Sequence, residues 1–184
     1  MIPHDNTKKC PCQFTQVIQR RTQGDVDFYR NWTDYKNGFG DLHGDFWTGN
    51  DIIHLLTNTP RVLRVELQTW DGTSVYAQYS LFQVANEEKN YTLTVQGFSG
   101  NVSYDAMTYH NGQSFTTYDS DNDLYHNNCA SHRHGAWWYK SCCESNLNSR
   151  YQMDNGDNGE SVFWRDLPPG RARAPLKMSK MMVR

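Results

Sequence analysis

Between Asp119 and Cys129 the chain reads DSDNDLYHNNC. Asp121, Asp123, Tyr125 and Asn127 fall on every second position, and alternate residues of an extended or looped backbone point the same way. Two carboxylates and two main-chain carbonyls, completed by water, make the all-oxygen shell that calcium accepts. The stretch lacks the glycine and the terminal glutamate of an EF-hand loop, which excludes that motif. The same residues equally suit a polar turn, because Asp and Asn are ordinary turn formers.

The five cysteines form two clusters, Cys10 and Cys12, then Cys129, Cys142 and Cys143. An odd count leaves at least one thiol over. Cys129 and Cys142 enclose fourteen residues with both ends counted. A bridge of that span is worth about 3 kcal/mol by loop entropy. The alternative is a reduced, buried pair, and Cys143 competes with Cys142 for any bond. Between them lies ASHRHGAWWYKS, in which His132 and His134, with Cys143 nearby, are soft metal ligands whose spacing matches no zinc finger. Trp137, Trp138 and Tyr139 read either as a sugar-stacking platform or as core. No nucleophile with a paired base and no phosphate-cradling glycine loop is identifiable, so the chain is not expected to be an enzyme.

The elements that position these residues are short. QVIQRR, Gln16 to Arg21, reads as a strand, and Gly24-Asp25 turns the chain. Asn31 to Tyr35 reads as helix, stopped by Gly38 and Gly40. Gly49-Asn50-Asp51 opens a second helix over IIHLLT, with Asn50 or Asp51 as its N-cap. Arg61 to Thr69 alternates as a strand, with Val62, Val65 and Leu67 inward. Strands over Ser74 to Val84 and Tyr91 to Val95 follow, with an Asp71-Gly72 hairpin turn before them. Beyond Gly97 regular periodicity disappears, and long loops in a compact domain are functional or pinned. The basic tail, Ser161 to Arg184, reads as a final strand (PLKMSKMMV) with a solvated face.

At 184 residues the chain is the size of one domain, with a hydrophobic fraction of 37% and aromatics at 14%. Burial must rely on large amphipathic rings, which also suit recognition surfaces. A formal charge of -2 gives no support for a nucleic-acid or membrane-surface binder. No window approaches the roughly 18 apolar residues of a membrane span. Acceptor sequons begin at Asn31, Asn90 and Asn101 and point outside the cell. MIPHDNTKKCPC has no apolar leader, so an extracellular reading expects the natural start upstream.

The runs QVIQRRTQGDVDFYRNWTDYKNGFGDLHGDFWTGNDIIHLLT, YHNGQSFTTYDSDND, NNCASHRHGAWWYKSC and SNLNSRY resemble, in order and spacing, the fibrinogen-related domains of fibrinogen chains, ficolins and tachylectin-type lectins. The resemblance implies an α+β fold: a central twisted antiparallel sheet with short helices and a loop-rich subdomain for calcium and ligand. It implies a divergent segment over residues 1–15 and a domain over 16–184, truncated on its N-terminal side. It assigns Asp121 and Asp123 as side-chain calcium ligands, and Tyr125 and Asn127 as carbonyl donors. It assigns Cys129 and Cys142 as the disulfide beside the metal, and places a cis bond at Ser141-Cys142.

Function follows from the same resemblance: a secreted, calcium-stabilised lectin of innate immunity that binds acetylated glycans or other microbial surface carbohydrate. Low-affinity lectin sites rely on multivalency, which an oligomer supplies. The pocket would involve His132, Arg133, Ser141, Cys142 and Cys143, with backbone amides near the cis bond holding the acetyl oxygen. The departures from the family lie here. Arg133 and Cys143 stand where the lectins have an aromatic and a histidine. The remaining wall positions fall near Asn158 and between Gly170 and Ala174, where aromatic rings are also missing. The alternative is a protein-interaction module of angiopoietin-like or fibrinogen-like kind, in which Arg133, His132 and the basic tail serve a carboxylate. Cys10 and Cys12 either bridge, stay free, or join another chain.

Overall fold

The computed structural model describes residues 15–153 and 159–184. In chain order its elements are β1 (Gln16–Arg21), α1 (Trp32–Asn37), β2 (Phe39–Gly40), β3 (Phe46–Trp47), α2 (Asn50–Leu56), β4 (Arg61–Thr69), β5 (Ser74–Val84) and β6 (Leu93–Gly100). Then come α3 (Cys129–Arg133), β7 (Ser145–Asn146), β8 (Phe163–Trp164) and β9 (Leu176–Val183). A seven-stranded antiparallel sheet runs in the order β2-β3-β1-β9-β4-β5-β6, and β7 pairs with β8 apart from it. This is the α+β architecture expected.

The last strand is central. β9 lies between β1 and β4, so Met181 faces Gln19 on one side and Val65 on the other. Met181 and Val183 are buried, while Lys177 is exposed and Lys180 pairs with Glu66 at 2.6 Å. The basic tail therefore does have a solvated face, on a strand that completes the core.

Three local expectations are corrected. Leu63, Val65 and Leu67 are the inward residues of β4, and Val62 is only half-buried. Side chains alternate with period two, so Val62 cannot share a face with Val65. The N-cap of α2 is Gly49, at φ 108°, with no side-chain cap. Asn50 instead accepts the indole N–H of Trp47 at 3.1 Å. β6 begins at Leu93, because Asn90 and Tyr91 both take positive φ and close a turn. By contrast, α1 ends as expected at Gly38, at φ 90°, while Asn31 stands just outside it as the N-cap, its Oδ1 accepting the Asp34 N–H at 2.8 Å.

The core is built from large rings, and two of its indoles find main-chain partners. Trp138 Nε1 donates to the Tyr91 carbonyl at 2.8 Å, and Trp164 Nε1 to that of Tyr104 at 2.8 Å. Buried indoles usually find such a partner, whereas Trp137 Nε1, fully buried, has none among the described residues. Within this core sits a charged pair. Arg21 lies 3.9 Å above the Phe28 ring and 3.5 Å from Asp45, and both charged side chains are buried. Asp45 also accepts the main-chain N–H groups of Thr22, Gln23 and Gly24 at 2.6, 3.1 and 2.9 Å. The carboxylate thus pins the turn after β1.

Candidate functional site

The loop from Asp119 to Cys129 is held by its own polar residues. Asp119 Oδ1 accepts the Trp32 N–H at 3.0 Å, anchoring the loop to the start of α1. Asn122 donates to the Phe115 carbonyl at 2.9 Å, and Asn128 donates to that of Thr117 at 2.9 Å. Asn128 Oδ1 accepts the Ser131 N–H at 3.0 Å and so caps α3. These residues are structural and leave the two intervening aspartates for other work.

Asp123 Oδ1 accepts the Tyr125 N–H at 2.8 Å and Oδ2 accepts the Cys129 N–H at 2.9 Å. Asp121 Oδ1 accepts the Asp123 N–H at 3.3 Å, so the two carboxylates lie side by side. Burial pushes the Asp123 carboxyl above its ordinary range, and the neighbouring Asp121 pushes it further, against the pull of the Cys129 and Tyr125 amides. Among the described residues no hydrogen bond is directed to the main-chain oxygens of Tyr125 or Asn127. Two adjacent carboxylates and two uncommitted carbonyls are a hard, all-oxygen donor set, and their chemistry fits calcium. Asn127 is exposed. Among the described residues no group of three or more His, Cys, Asp or Glu side chains could hold a metal. His132, His134 and Cys143 are therefore not brought together as a zinc site.

Cys129 and Cys142 form a disulfide with their Cα atoms 5.4 Å apart. Cys143 is a buried free thiol, and burial pushes its pKa up to about 12 against the pull of Arg133 and Arg173. Such a thiol is inert at neutral pH. The peptide between Ser141 and Cys142 is trans. Among the described residues the cis bond is Leu167-Pro168, as the lower cost of cis before proline allows.

The expected pocket residues divide by exposure. His132 and Ser141 are exposed, Arg133 is half-buried, and Cys142 and Cys143 are buried. Trp137, Trp138 and Tyr139 are all fully buried and offer no stacking platform; they are core. The Arg133 guanidinium and the Arg173 side chain converge on Gly159: a Cβ there would lie 3.1 Å from Arg133 Nη1 and 2.8 Å from Arg173 Cδ. The place expected for aromatic walls thus carries two cations and a thiol. Asn158, Cys10 and Cys12 lie outside the described residues.

Sequence reasoning passed over His110. It is fully buried, its Nδ1 donates to the Trp138 carbonyl at 2.7 Å, and its Nε2 accepts the Ser145 N–H at 3.3 Å. Burial lowers its pKa to about 4, so the ring is neutral and joins the tryptophan pair to the segment after the disulfide. Its place in the run YHNGQSF was the available signal.

Residues 13–184 match the family model described as the C-terminal globular domain of fibrinogen beta and gamma chains. Mouse angiopoietin-related protein 7 is 50% identical over 135 residues, covering 73% of this chain and 40% of that protein. Human ficolin-3 is 41% identical over 170 residues, covering 91% of this chain and 56% of that protein. The chain thus spans about half the length of the curated relatives it matches. The solved fibrinogen-like globe domain of human ANGPTL2 superposes with a TM-score of 0.85 at 39% identity, covering 92% of this chain and 79% of that one.

Proposed function

The chain belongs to the family of fibrinogen C-terminal globular domains, and on that premise we propose that it is an extracellular recognition domain, stiffened by calcium, whose ligand is an anionic group on a protein. The family is one of non-enzymatic recognition modules. Among the described residues no helix is long and apolar enough to cross a membrane. A disulfide and three sequons support an oxidising, extracellular setting.

One observation carries the choice of ligand: Arg133 and Arg173 converge beside Cys143, where an acetyl-binding lectin needs an apolar receptacle. A guanidinium matches a carboxylate in shape and charge. Bound calcium would supply positive charge between Asp121 and Asp123 and remove their mutual repulsion. Asp123 transmits that order directly, since its carboxylate holds the N–H of Cys129, the first residue of α3. Arg133 is the last residue of the same helix, so the loop runs directly into one of the two cations of the wall.

The test is retention of the folded, calcium-loaded chain on an immobilised acidic peptide and on N-acetylglucosamine resin. Retention on the peptide, undiminished by free N-acetylglucosamine and lost in Arg133→Ala/Arg173→Ala, supports the reading. Retention on the sugar resin alone favours a lectin, the second reading, for which the 41% identity to ficolin-3 over 91% of the chain speaks.

A further inference from the structure

The three sequon asparagines are differently placed. Asn31 is half-buried and caps α1 through Oδ1. Asn101 Oδ1 accepts the Tyr76 N–H at 2.7 Å. Asn90 is exposed, stands at φ 47° after the 3-10 turn Glu87–Lys89, and among the described residues its side-chain amide makes no hydrogen bond. Its backbone is held from both sides, by the Glu87 carbonyl at 2.8 Å and by the Phe115 N–H at 2.8 Å. A fixed backbone thus presents a free amide to solvent.

Asn90 also lines a groove of about 760 Å³ between the end of α2 and the strands β5 and β6. The size is that of an ordinary small-ligand cleft, about 300–1,000 Å³. His54, Gln83, Asn86, Thr92 and Ser114 contribute amides, hydroxyls and an imidazole, and no Phe, Tyr or Trp lines it. Asn86 Oδ1 is buried there without a partner, an acceptor in want of a donor. Hydroxyl-rich ligands match these groups. A free sugar would gain hydrogen bonds without a stacking face and bind weakly. A sugar tethered at the rim would be present at an effective concentration in the millimolar range, which offsets a weak site.

We propose that Asn90 is an N-glycan acceptor and that the first sugars of its glycan lie in this groove. The co-reactant is a lipid diphosphate-linked oligosaccharide. Asn90 Nδ2 bonds to the anomeric carbon as the bond from that carbon to the diphosphate oxygen breaks. The diphosphate leaves with the electron pair, Nδ2 loses one proton, and nothing is oxidised or reduced. A sugar hydroxyl or acetamido N–H donates to Asn86 Oδ1, and Thr92 and Ser114 face the ring. The groove is then an internal glycan seat, separate from the Arg133 and Arg173 site. The assignment rests on the extracellular part of the reading above, since transfer occurs on the secretory route.

The experiment uses the full chain secreted from a eukaryotic cell line. Glycopeptide mass spectrometry reads occupancy at Asn31, Asn90 and Asn101. Hydrogen exchange over residues 83–94 is then compared before and after enzymatic removal of the glycan. Asn90 should be occupied, and its glycan should slow exchange in that segment several-fold while leaving the segment around α3 unchanged. Thr92→Ala, which abolishes the sequon and keeps Asn90, should reproduce the deglycosylated pattern. If that variant does not fold, the enzymatic comparison decides alone. An unmodified Asn90 overturns the proposal, and so does an occupied Asn90 with unaltered exchange. Failure of the extracellular reading itself has a separate signature: all three sequons bare and Cys129 and Cys142 reduced.

Discussion

The N–H of Leu124 donates to the carbonyl of Lys140 at 2.8 Å. This bond fastens the middle of the acidic loop to the segment just ahead of Cys142. The disulfide fastens the loop's end to the same segment, and Asp123 holds the Cys129 amide from within. A shift of either aspartate is therefore felt at Ser141 to Cys143, beside the cationic wall. The acidic loop and the segment beside Arg133 and Arg173 are coupled by short, named contacts.

Removing the disulfide should loosen that coupling. Cys129→Ala/Cys142→Ala opens a loop of 13 residues' separation, and chain entropy predicts a loss of about 3 kcal/mol. Urea denaturation measures it. The same variant should bind calcium more weakly, because the exit of the loop is no longer fixed.

His110 should make the domain acid-sensitive. Its folded pKa of about 4 lies below the ordinary 6.5, so between these values the unfolded chain binds the extra proton. Stability is then full above pH 6.5 and falls as the pH is lowered toward 4, by up to about 3 kcal/mol. A charged ring would turn Nε2 into a donor facing the N–H groups of Glu144 and Ser145. Denaturation curves across this range should show the slope, and His110→Asn should flatten it.

Asp45→Ala should be among the most damaging single changes. It leaves the Arg21 guanidinium buried without its carboxylate, and the amides of Thr22, Gln23 and Gly24 without an acceptor. Breaking a buried pair on one side costs about 3–5 kcal/mol. Burial already lowers the Arg21 pKa against the opposing Asp45 charge, and the variant removes that charge. Adding Arg21→Met should recover part of the loss in the same urea assay.

Regular elements were legible where a simple period governs them. The alternation of β4, the strand over β5, the Gly38 stop of α1 and the Asp71-Gly72 turn follow from local chemistry. The errors arose where a side-chain contact overrides it. Asn50 looks like a cap, yet the Trp47 indole claims its oxygen. Trp137 and Trp138 read as platform or as core, and their full burial, with Trp138 Nε1 on the Tyr91 carbonyl, decides for core. The convergence of Arg133 and Arg173 was invisible because 39 intervening residues separate them in sequence, and only the fold brings both to Gly159. The paired aspartates could be read directly, since their spacing of two places them on one side of the loop.

The most direct measurement is thermal unfolding of the whole chain at neutral pH against free calcium, with a chelator as baseline. A native-state ligand stabilises as the logarithm of its concentration, by about 2.7 kcal/mol at one hundred times Kd. Tm should climb with calcium in the parent chain and stay flat in Asp121→Asn/Asp123→Asn. A folded parent chain with the same Tm in chelator and in saturating calcium would contradict it.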